Sequence, residues 1–299
     1  MQSKRFSGMY PDFLCIGAQK AGTTWLHDNL RQHPQVWLPP VKELHYFDHA
    51  PPSLARRLLG KTEIHRTARK HLRHKVFEVL RTGRTEGLAW AARYCLAPRN
   101  DTWYESLFPR IEGKVTGEVC PGYARVDAAA VGEIRRRMPD TKIIYLLRDP
   151  IDRAWSSTVM HFRKPKFGGI HGIDDERIRA HLSSRKMLAH SDYVNNLDAW
   201  RQHYPAEQLF VGYFDELSAD PGKFLQKILA FLGLESSEVV LPQGVSEKRN
   251  AGQGEPIPQR FHPLLVDLHY DRIVKLDQTL KNAFTKDWLQ AAESLRQSG

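Results

Sequence analysis

Short apolar runs alternate along this chain with longer stretches in which apolar and polar positions recur at helical spacing. Phe13-Leu14-Cys15-Ile16 is one such run; it ends at Gly17 and is followed by helix-compatible sequence from Thr23 to Gln32. A strand therefore passes through a glycine-containing loop into a helix. Further strands are expected at Lys114 to Val119 and at Lys142 to Leu147, the second preceded by a helix around Asp127 to Met138 that Pro139-Asp140 stops. A helix from Tyr193 to His203 leads into a fourth strand, Gln208 to Tyr213. Strands separated by helices predict an α/β fold, a parallel sheet covered on both faces.

Two Pro/Gly-rich stretches, His33 to Pro52 and Leu241 to Pro263, interrupt this order. Neither separates two regions of core-forming size, so both are expected to be long functional loops. The prediction is one domain over residues 1–299 with a helical insertion at approximately 53–110. There is no internal repeat and no low-complexity segment.

Composition adds exclusions. With 41% hydrophobic and 26% charged residues the chain has the balance of an ordinary globular protein. Its longest apolar run, Ile143 to Leu147, is far too short to span a bilayer, and MQSKRFSGMY lacks the apolar core of a signal peptide. A cytoplasmic location without an integral membrane anchor is the expectation. Cys15, Cys95 and Cys120 lie far apart and form no C-x-x-C pair, which argues against a disulfide framework or structural zinc. The cluster His71-Leu72-Arg73-His74, with His65 nearby, has neither an acidic general base nor cysteine partners at zinc spacing. No metal is predicted.

Charge points the other way, toward a ligand. Forty-four basic against 34 acidic residues give a net charge of +10, which favours anionic partners. Much of the excess lies between Arg56 and Lys75, which reads either as a solvated helical face or as a surface that meets an anionic acceptor.

GAQKAGTTWLHDNL, beginning at Gly17, nearly matches a phosphate-binding P-loop, G-x-x-x-x-G-K-[ST]. Gly17 and Gly22 have the right spacing and Thr24 takes the hydroxyl position, but Thr23 stands where the lysine belongs and Lys20 sits inside the loop. In a triphosphate-using enzyme the missing lysine reaches the β- and γ-phosphates, and the hydroxyl holds their Mg²⁺. A donor with one phosphate beside the transferred group needs instead an amide and hydroxyl cradle, and one cation where leaving-group charge develops. Lys20 is placed to supply that cation, with Thr23 and Thr24 holding the phosphate.

The second informative stretch is KIIYLLRDPIDRAWSS. An apolar strand runs into Arg148, Asp149 and Pro150, and the helix that Pro150 opens carries Ser156 about two turns on. Arg148 and Ser156 can converge on an anion at the C-terminal edge of the sheet. Equally, Arg148 can pair with Asp149 and Ser156 can be ordinary surface.

Together the two stretches resemble the nucleotide-binding signatures of sulfotransferases that use 3′-phosphoadenosine 5′-phosphosulfate (PAPS). The first is similar to that family's 5′-phosphosulfate loop and the second to its 3′-phosphate motif; SDYVNNLDAWRQHYPAEQLFVGYFDELSADPGKFLQKILAFLGL resembles the family's C-terminal half. VKELHYFDH resembles the K-E-x-H-[FY]-F-D segment of the glycan-modifying branch, heparan sulfate sulfotransferases included. The resemblance implies a P-loop-like sheet flanked by helices, PAPS as co-substrate and PAP as product. Lys20 would then stabilise the leaving 5′-phosphate, Ala21, Gly22, Thr23, Thr24 and Trp25 would form its cradle, and Arg148 and Ser156 would grip the 3′-phosphate.

On the acceptor side the resemblance makes Glu43 the catalytic base and His45 the residue that orients the acceptor or the glutamate. Lys42 is implied to help hold the transferring group, and Asp48 belongs to the same segment. From the residues alone Glu43 can equally be a salt-bridge partner of Lys20 or Lys42. GEVCPGYAR resembles the family's short acidic segment before a Pro and an aromatic, which allows Glu118 to brace the lysine loop, to contact the acceptor or to be structural. SEKRNAGQG places Lys248 and Arg249 where the family has a basic loop over the nucleotide. Trp37, Tyr46, Phe47, Trp90, Trp103 and Tyr104 are candidates for lining an acceptor cleft or for the core.

The acceptor implied bears a hydroxyl or amine and is a glycan or other carbohydrate, a lipid, or a small molecule such as a natural product, and not nucleic acid. The chain has neither the membrane anchor nor the C-terminal disulfide of many glycan-modifying members, and so looks more like a soluble bacterial-type relative. Two other functions fit parts of the sequence. A P-loop kinase explains the glycine loop and gives Asp149 a magnesium-binding role, though Thr23 opposes it. A non-enzymatic acidic-polymer binder explains the charge and not the paired motifs.

Overall fold

A computed structural model describes residues 10–49, 63–82, 85, 87–164, 167–234 and 255–297. Its strands are β1 (Phe13–Gly17), β2 (Val36–Trp37), β3 (Val115–Val119), β4 (Lys142–Leu147) and β5 (Leu209–Tyr213). They form one five-stranded sheet in the order β2-β3-β1-β4-β5, parallel throughout. β1 is buried along its whole length and β4 from its second residue on. That burial is why both read as unbroken apolar runs and not as alternating ones.

The helices, in chain order, are α1 (Thr23–Gln32), α2 (Glu63–Thr82), α3 (Leu88–Leu96), α4 (Asp101–Glu105), α5 (Ala128–Arg137), α6 (Pro150–Phe162), α7 (Asp175–Leu182), α8 (Arg185–His190), α9 (Tyr193–Arg201), α10 (Phe214–Ala219), α11 (Pro221–Leu232), α12 (His262–Leu280) and α13 (Ala283–Gln297). Side-chain caps set several starts. Asp127 accepts from Ala130 N–H at 2.8 Å to begin α5, and Asp220 accepts from Lys223 N–H at 2.9 Å to begin α11, where Pro221 occupies the first turn. None of these helices is long and apolar enough to cross a membrane, among the described residues.

All four expected strands are present, within one residue of their expected starts. β2 was not foreseen. It lies inside the stretch read as a loop, is two residues long, and pairs with β3 through Val36 and Val115. Two residues show no period, so only the neighbouring strand reveals it. Residues 241–254 of the second expected loop lie outside the described residues; from Glu255 the chain is extended to Pro258, turns once at Gln259–Phe261 and enters α12.

Strand order decides where a ligand can bind. From β1 the chain goes to β2 and β3 on one side, then crosses to β4 and β5 on the other. β1 and β4 are therefore the neighbours at which the winding reverses, and the crevice beyond their C-terminal ends is where open α/β sheets bind ligands. The loops after β1 and β4 are the two motifs singled out above.

Candidate active site

The loop from Gly17 to Gly22 turns the chain from β1 into α1. Gly22 takes φ 90°, and a Cβ there would lie 2.5 Å from Leu217 Cδ2, so glycine is required both for its conformation and for space. Lys20 is also left-handed, at φ 73°. Its ammonium is half-buried; burial lowers its pKa, and Arg148, Arg163 and Lys42 add repulsion. Among the described residues no carboxylate forms an ion pair with it. A lysine desolvated amid three further cations is a poor place for a proton and a good place for an anion.

Arg148 joins the two motifs. Its Nη1 donates to the carbonyl of Lys20 at 3.4 Å, across 128 residues of sequence, and its guanidinium lies 4.6 Å over the Phe214 ring. Nη2 pairs with Asp152 at 3.3 Å, and Nε is buried without a hydrogen-bond partner. The expected alternative partner, Asp149, does something else. Its Oδ1 accepts from Ile151 N–H at 2.7 Å and Asp152 N–H at 3.0 Å, capping α6. Burial pushes its carboxyl up to about 7. A carboxylate committed to two backbone amides does not suit the magnesium-binding role that a kinase would give it.

Ser156 is half-buried on α6, and its neighbour Ser157 donates to Gln19 Oε1 at 3.4 Å, so this helix face borders the loop. Ala21 and Thr23 are buried within the cradle and Thr24 is half-buried. Trp25 lies in the first turn of α1; it is 4% exposed and its ring packs 6.1 Å from that of Phe224. Lys248 and Arg249 lie outside the described residues, as do residues 56–62 of the basic segment.

The VKELHYFDH loop comes up against the same crevice. Lys42 Nζ donates to Thr24 Oγ1 at 3.0 Å and pairs with Glu43 Oε1 at 3.2 Å. Glu43 Oε2 lies 3.4 Å from His45 Nε2, and His45 Nδ1 donates to Asp48 Oδ2 at 2.9 Å with Cys120 Sγ 3.6 Å away. Asp48 also pairs with His49 at 3.0 Å. Of the two partners open to Glu43 from sequence, the structure selects Lys42 and adds His45.

These contacts set protonation. Burial works to lower the pKa of His45, but its hydrogen bonds to Asp48, Cys120 and Glu43 outweigh it and hold the imidazolium up to about 12. Burial works to raise Glu43, yet His45 and Lys42 keep its carboxyl below the ordinary value. The site holds an ionised carboxylate between two cations. His45, Asp48 and Cys120 are also the described trio whose donor atoms approach within 4.8 Å, but their closeness is that of a hydrogen-bonded ion pair around Nδ1.

Backbone strain collects here. Among the described non-glycine residues only Lys20, Glu43, His45 and Lys281 have positive φ, and the first three are the residues expected to do the chemistry. Each costs on the order of 1 kcal/mol and persists only where surrounding structure enforces it.

That enforcement comes from Glu118, fully buried on β3. It braces the glutamate loop and not the lysine loop: Oε1 accepts from Leu44 N–H at 2.8 Å, Oε2 from the Tyr104 hydroxyl at 2.6 Å, and Tyr123 donates at 3.0 Å. Arg99 adds hydrogen bonds to the carbonyls of Leu44 and His45 at 2.7 and 2.9 Å. Arg99 was missed, because nothing local to it marks a partner 55 residues away. The aromatic residues divide likewise. Trp90, Trp103 and Tyr104 are buried in the core, and Tyr46 stacks 4.7 Å from Tyr104 beneath the loop. They form a foundation and not a sugar platform; Phe47 alone among them lines the adjoining cavity.

Comparison with known proteins agrees with this geometry. A match to the sulfotransferase family covers residues 11–238. The chain is 28% identical over 233 residues to mouse heparan sulfate glucosamine 3-O-sulfotransferase 3A1, covering 77% of this chain and 47% of that protein; it spans about half the length of the curated relatives it matches. Among solved structures, a sulfotransferase from Alicyclobacillus acidocaldarius superposes with a TM-score of 0.61 at 21% identity, over 93% of this chain and 98% of that one. A mouse sulfotransferase complexed with PAP gives 0.51 at 14% identity, over 97% and 91%. With the family match spanning both motifs and the sheet between them, the chain belongs to the sulfotransferase family.

Proposed function

We propose that this protein transfers the sulfuryl group of PAPS to a hydroxyl or amine of an acceptor, and that Glu43 is the base. The observation that carries this is Lys42, whose ammonium touches Thr24 in the phosphate loop and Glu43 in the acceptor loop at once. A donor held in the loop after β1 therefore has the candidate base within one side chain of its reacting end.

The residues divide the work. The acceptor oxygen or nitrogen forms its bond to sulfur as the bond from sulfur to the bridging phosphate oxygen breaks, and the charge that develops on that oxygen needs a fixed cation. Lys20, held rigidly and short of counter-charge, suits that role. Glu43 takes the acceptor's proton, His45 holds the carboxylate in place from its far side, and Asp48 keeps His45 charged. Arg148, anchored on Lys20's carbonyl, takes the 3′-phosphate with Ser156 beside it. Lys248 and Arg249 are assigned to cover the nucleotide. Lys20 supplies the charge at the leaving oxygen, so the reaction is proposed to need no metal.

The test is ligand-induced stabilisation of the purified protein by PAP against ADP and Mg-ATP. A ligand at 100 times its dissociation constant stabilises by about 2.7 kcal/mol. A rise with PAP that EDTA leaves intact is expected; a rise with Mg-ATP alone would replace this reading with a kinase.

A further inference from the structure

A cavity of about 420 Å³ opens beside Asp48, lined by Phe47, Asp48, His49, Gly122, Arg125 and Asp127 among others. It is large enough for a sugar-sized or aromatic group. It shares Asp48 with the His45 ion pair, so whatever occupies it lies one side chain from His45. Gly122 keeps it open to Asp48: a Cβ there would fall 2.0 Å from Asp48 Oδ2.

Three charged groups line this cavity, Asp48, Asp127 and Arg125, and both carboxylates have partners of their own. Asp48 is committed to His45 and His49. Asp127 spends Oδ1 capping α5. Arg125, half-buried, pairs with no carboxylate among the described residues, and its Nε is buried without a hydrogen-bond partner. Beneath it His190 is buried and kept neutral, its pKa pushed down to about 3 by burial and then by Arg125 and Arg153. Among the described residues no carboxylate therefore gives Arg125 the paired contact that a partly buried guanidinium favours.

We infer that Arg125 is a specificity-determining residue that binds an oxyanion on the acceptor, a carboxylate or a sulfate ester, so that the preferred acceptor is itself acidic. This rests on the transfer reaction proposed above and deepens it. A guanidinium presents two parallel donors to a planar carboxylate, which fixes orientation as well as adding affinity. An anion at Arg125 places the rest of the acceptor along the wall formed by Phe47, Asp48 and Gly122, toward His45 and Glu43. The positive field of the crevice then serves both substrates, with Lys20 and Arg148 on the donor side and Arg125 on the acceptor side.

The experiment measures binding of matched probes to the PAP-loaded protein by calorimetry: methyl β-glucuronide against methyl β-glucoside and its 6-sulfate, and 4-hydroxyphenylacetate against its amide. The acid of at least one pair should bind about 10-fold tighter or better, the range of one charge-assisted contact. Arg125→Gln should abolish that preference, Arg125→Lys should restore part of it, and PAP affinity should be the same in all three proteins. The 6-sulfate arm tells a sulfate-reading site from a carboxylate-reading one. Equal binding of acid and neutral probe by the wild type overturns the inference, as does a preference that survives Arg125→Gln, which would assign the cavity's charge to His49. If PAP itself fails to bind, the donor reading falls; the acid preference, repeated without PAP, still reports on Arg125.

Discussion

The donor side and the acceptor side of this crevice are built by different means. On the donor side the groups proposed to meet the nucleotide follow their strands directly: Gly17 to Thr24 after β1, Arg148 to Ser156 after β4. Strand, loop and helix start are consecutive in sequence, and the sheet brings the two loops together. On the acceptor side Glu43 and His45 sit in an irregular loop held in left-handed conformations by residues far along the chain. Leu44 hangs on Glu118 across 74 residues, Tyr46 on Tyr123 across 77, and His45 on Cys120 across 75. A local device tolerates change elsewhere in the fold; a braced loop inherits the weakness of every brace. Donor binding should therefore survive substitutions that disable transfer.

The largest effect that would break this contrast is at the base. Glu43→Gln is expected to lower turnover by about 100- to 10,000-fold with PAP affinity unchanged, measured as PAP release with any accepted hydroxyl compound. Full activity in that variant would move the base elsewhere.

Lys20→Ala should cost about 100- to 1,000-fold in kcat, the scale of one preorganised charge at a developing oxyanion. A change in KM alone would reduce Lys20 to ground-state binding.

Glu118 sharpens the comparison through pH. Burial outweighs its three hydrogen-bond donors and raises its carboxyl to about 7, against an ordinary 4.5. Its neutral form is thus favoured by folding. That contribution is complete below pH 4.5 and is lost as pH rises through 7, an effect on the order of 3 kcal/mol. Glu118→Gln stays neutral, so its stability relative to wild type should improve between pH 5 and 8 in denaturant unfolding, while transfer falls because the loop loses its brace. Parallel stability profiles would contradict the buried titration.

The smallest effect is on the donor side. Arg148→Ala should weaken PAP by roughly 30-fold in calorimetry, the lower end for truncating one member of a buried charged contact. Turnover at saturating PAPS should fall far less.

What was legible follows the same division. β1, β4, α1 and the opening of α6 are each announced by residues next to one another: an apolar run, glycine at the turn, proline after an aspartate cap. The displaced Lys20 and its partner Arg148 were readable for that reason, and the K-E-x-H-[FY]-F-D resemblance carried Glu43 and His45. That the Trp25 ring points into the core against Phe224 is not written in its place in the motif. That Glu118 braces the glutamate loop was not readable, since a strand position says nothing of what crosses its end. Arg99 and Arg125 carry no local mark at all.

The sequence by itself determined the parallel α/β order, the phosphate loop that departs from the kinase form, and the pairing of two anion motifs. These depend on short-range spacing and backbone conformation, which neighbouring residues specify. Only the tertiary structure decided that β1 and β4 adjoin, that Lys42 links Thr24 to Glu43, that His45 is held charged, and that Arg125 faces a cavity beside it. Hydrogen bonds and Coulomb interactions act over a few ångströms of space, and burial strengthens them. The residues they join here lie tens of residues apart along the chain, so the fold had to bring them together before their chemistry could be read.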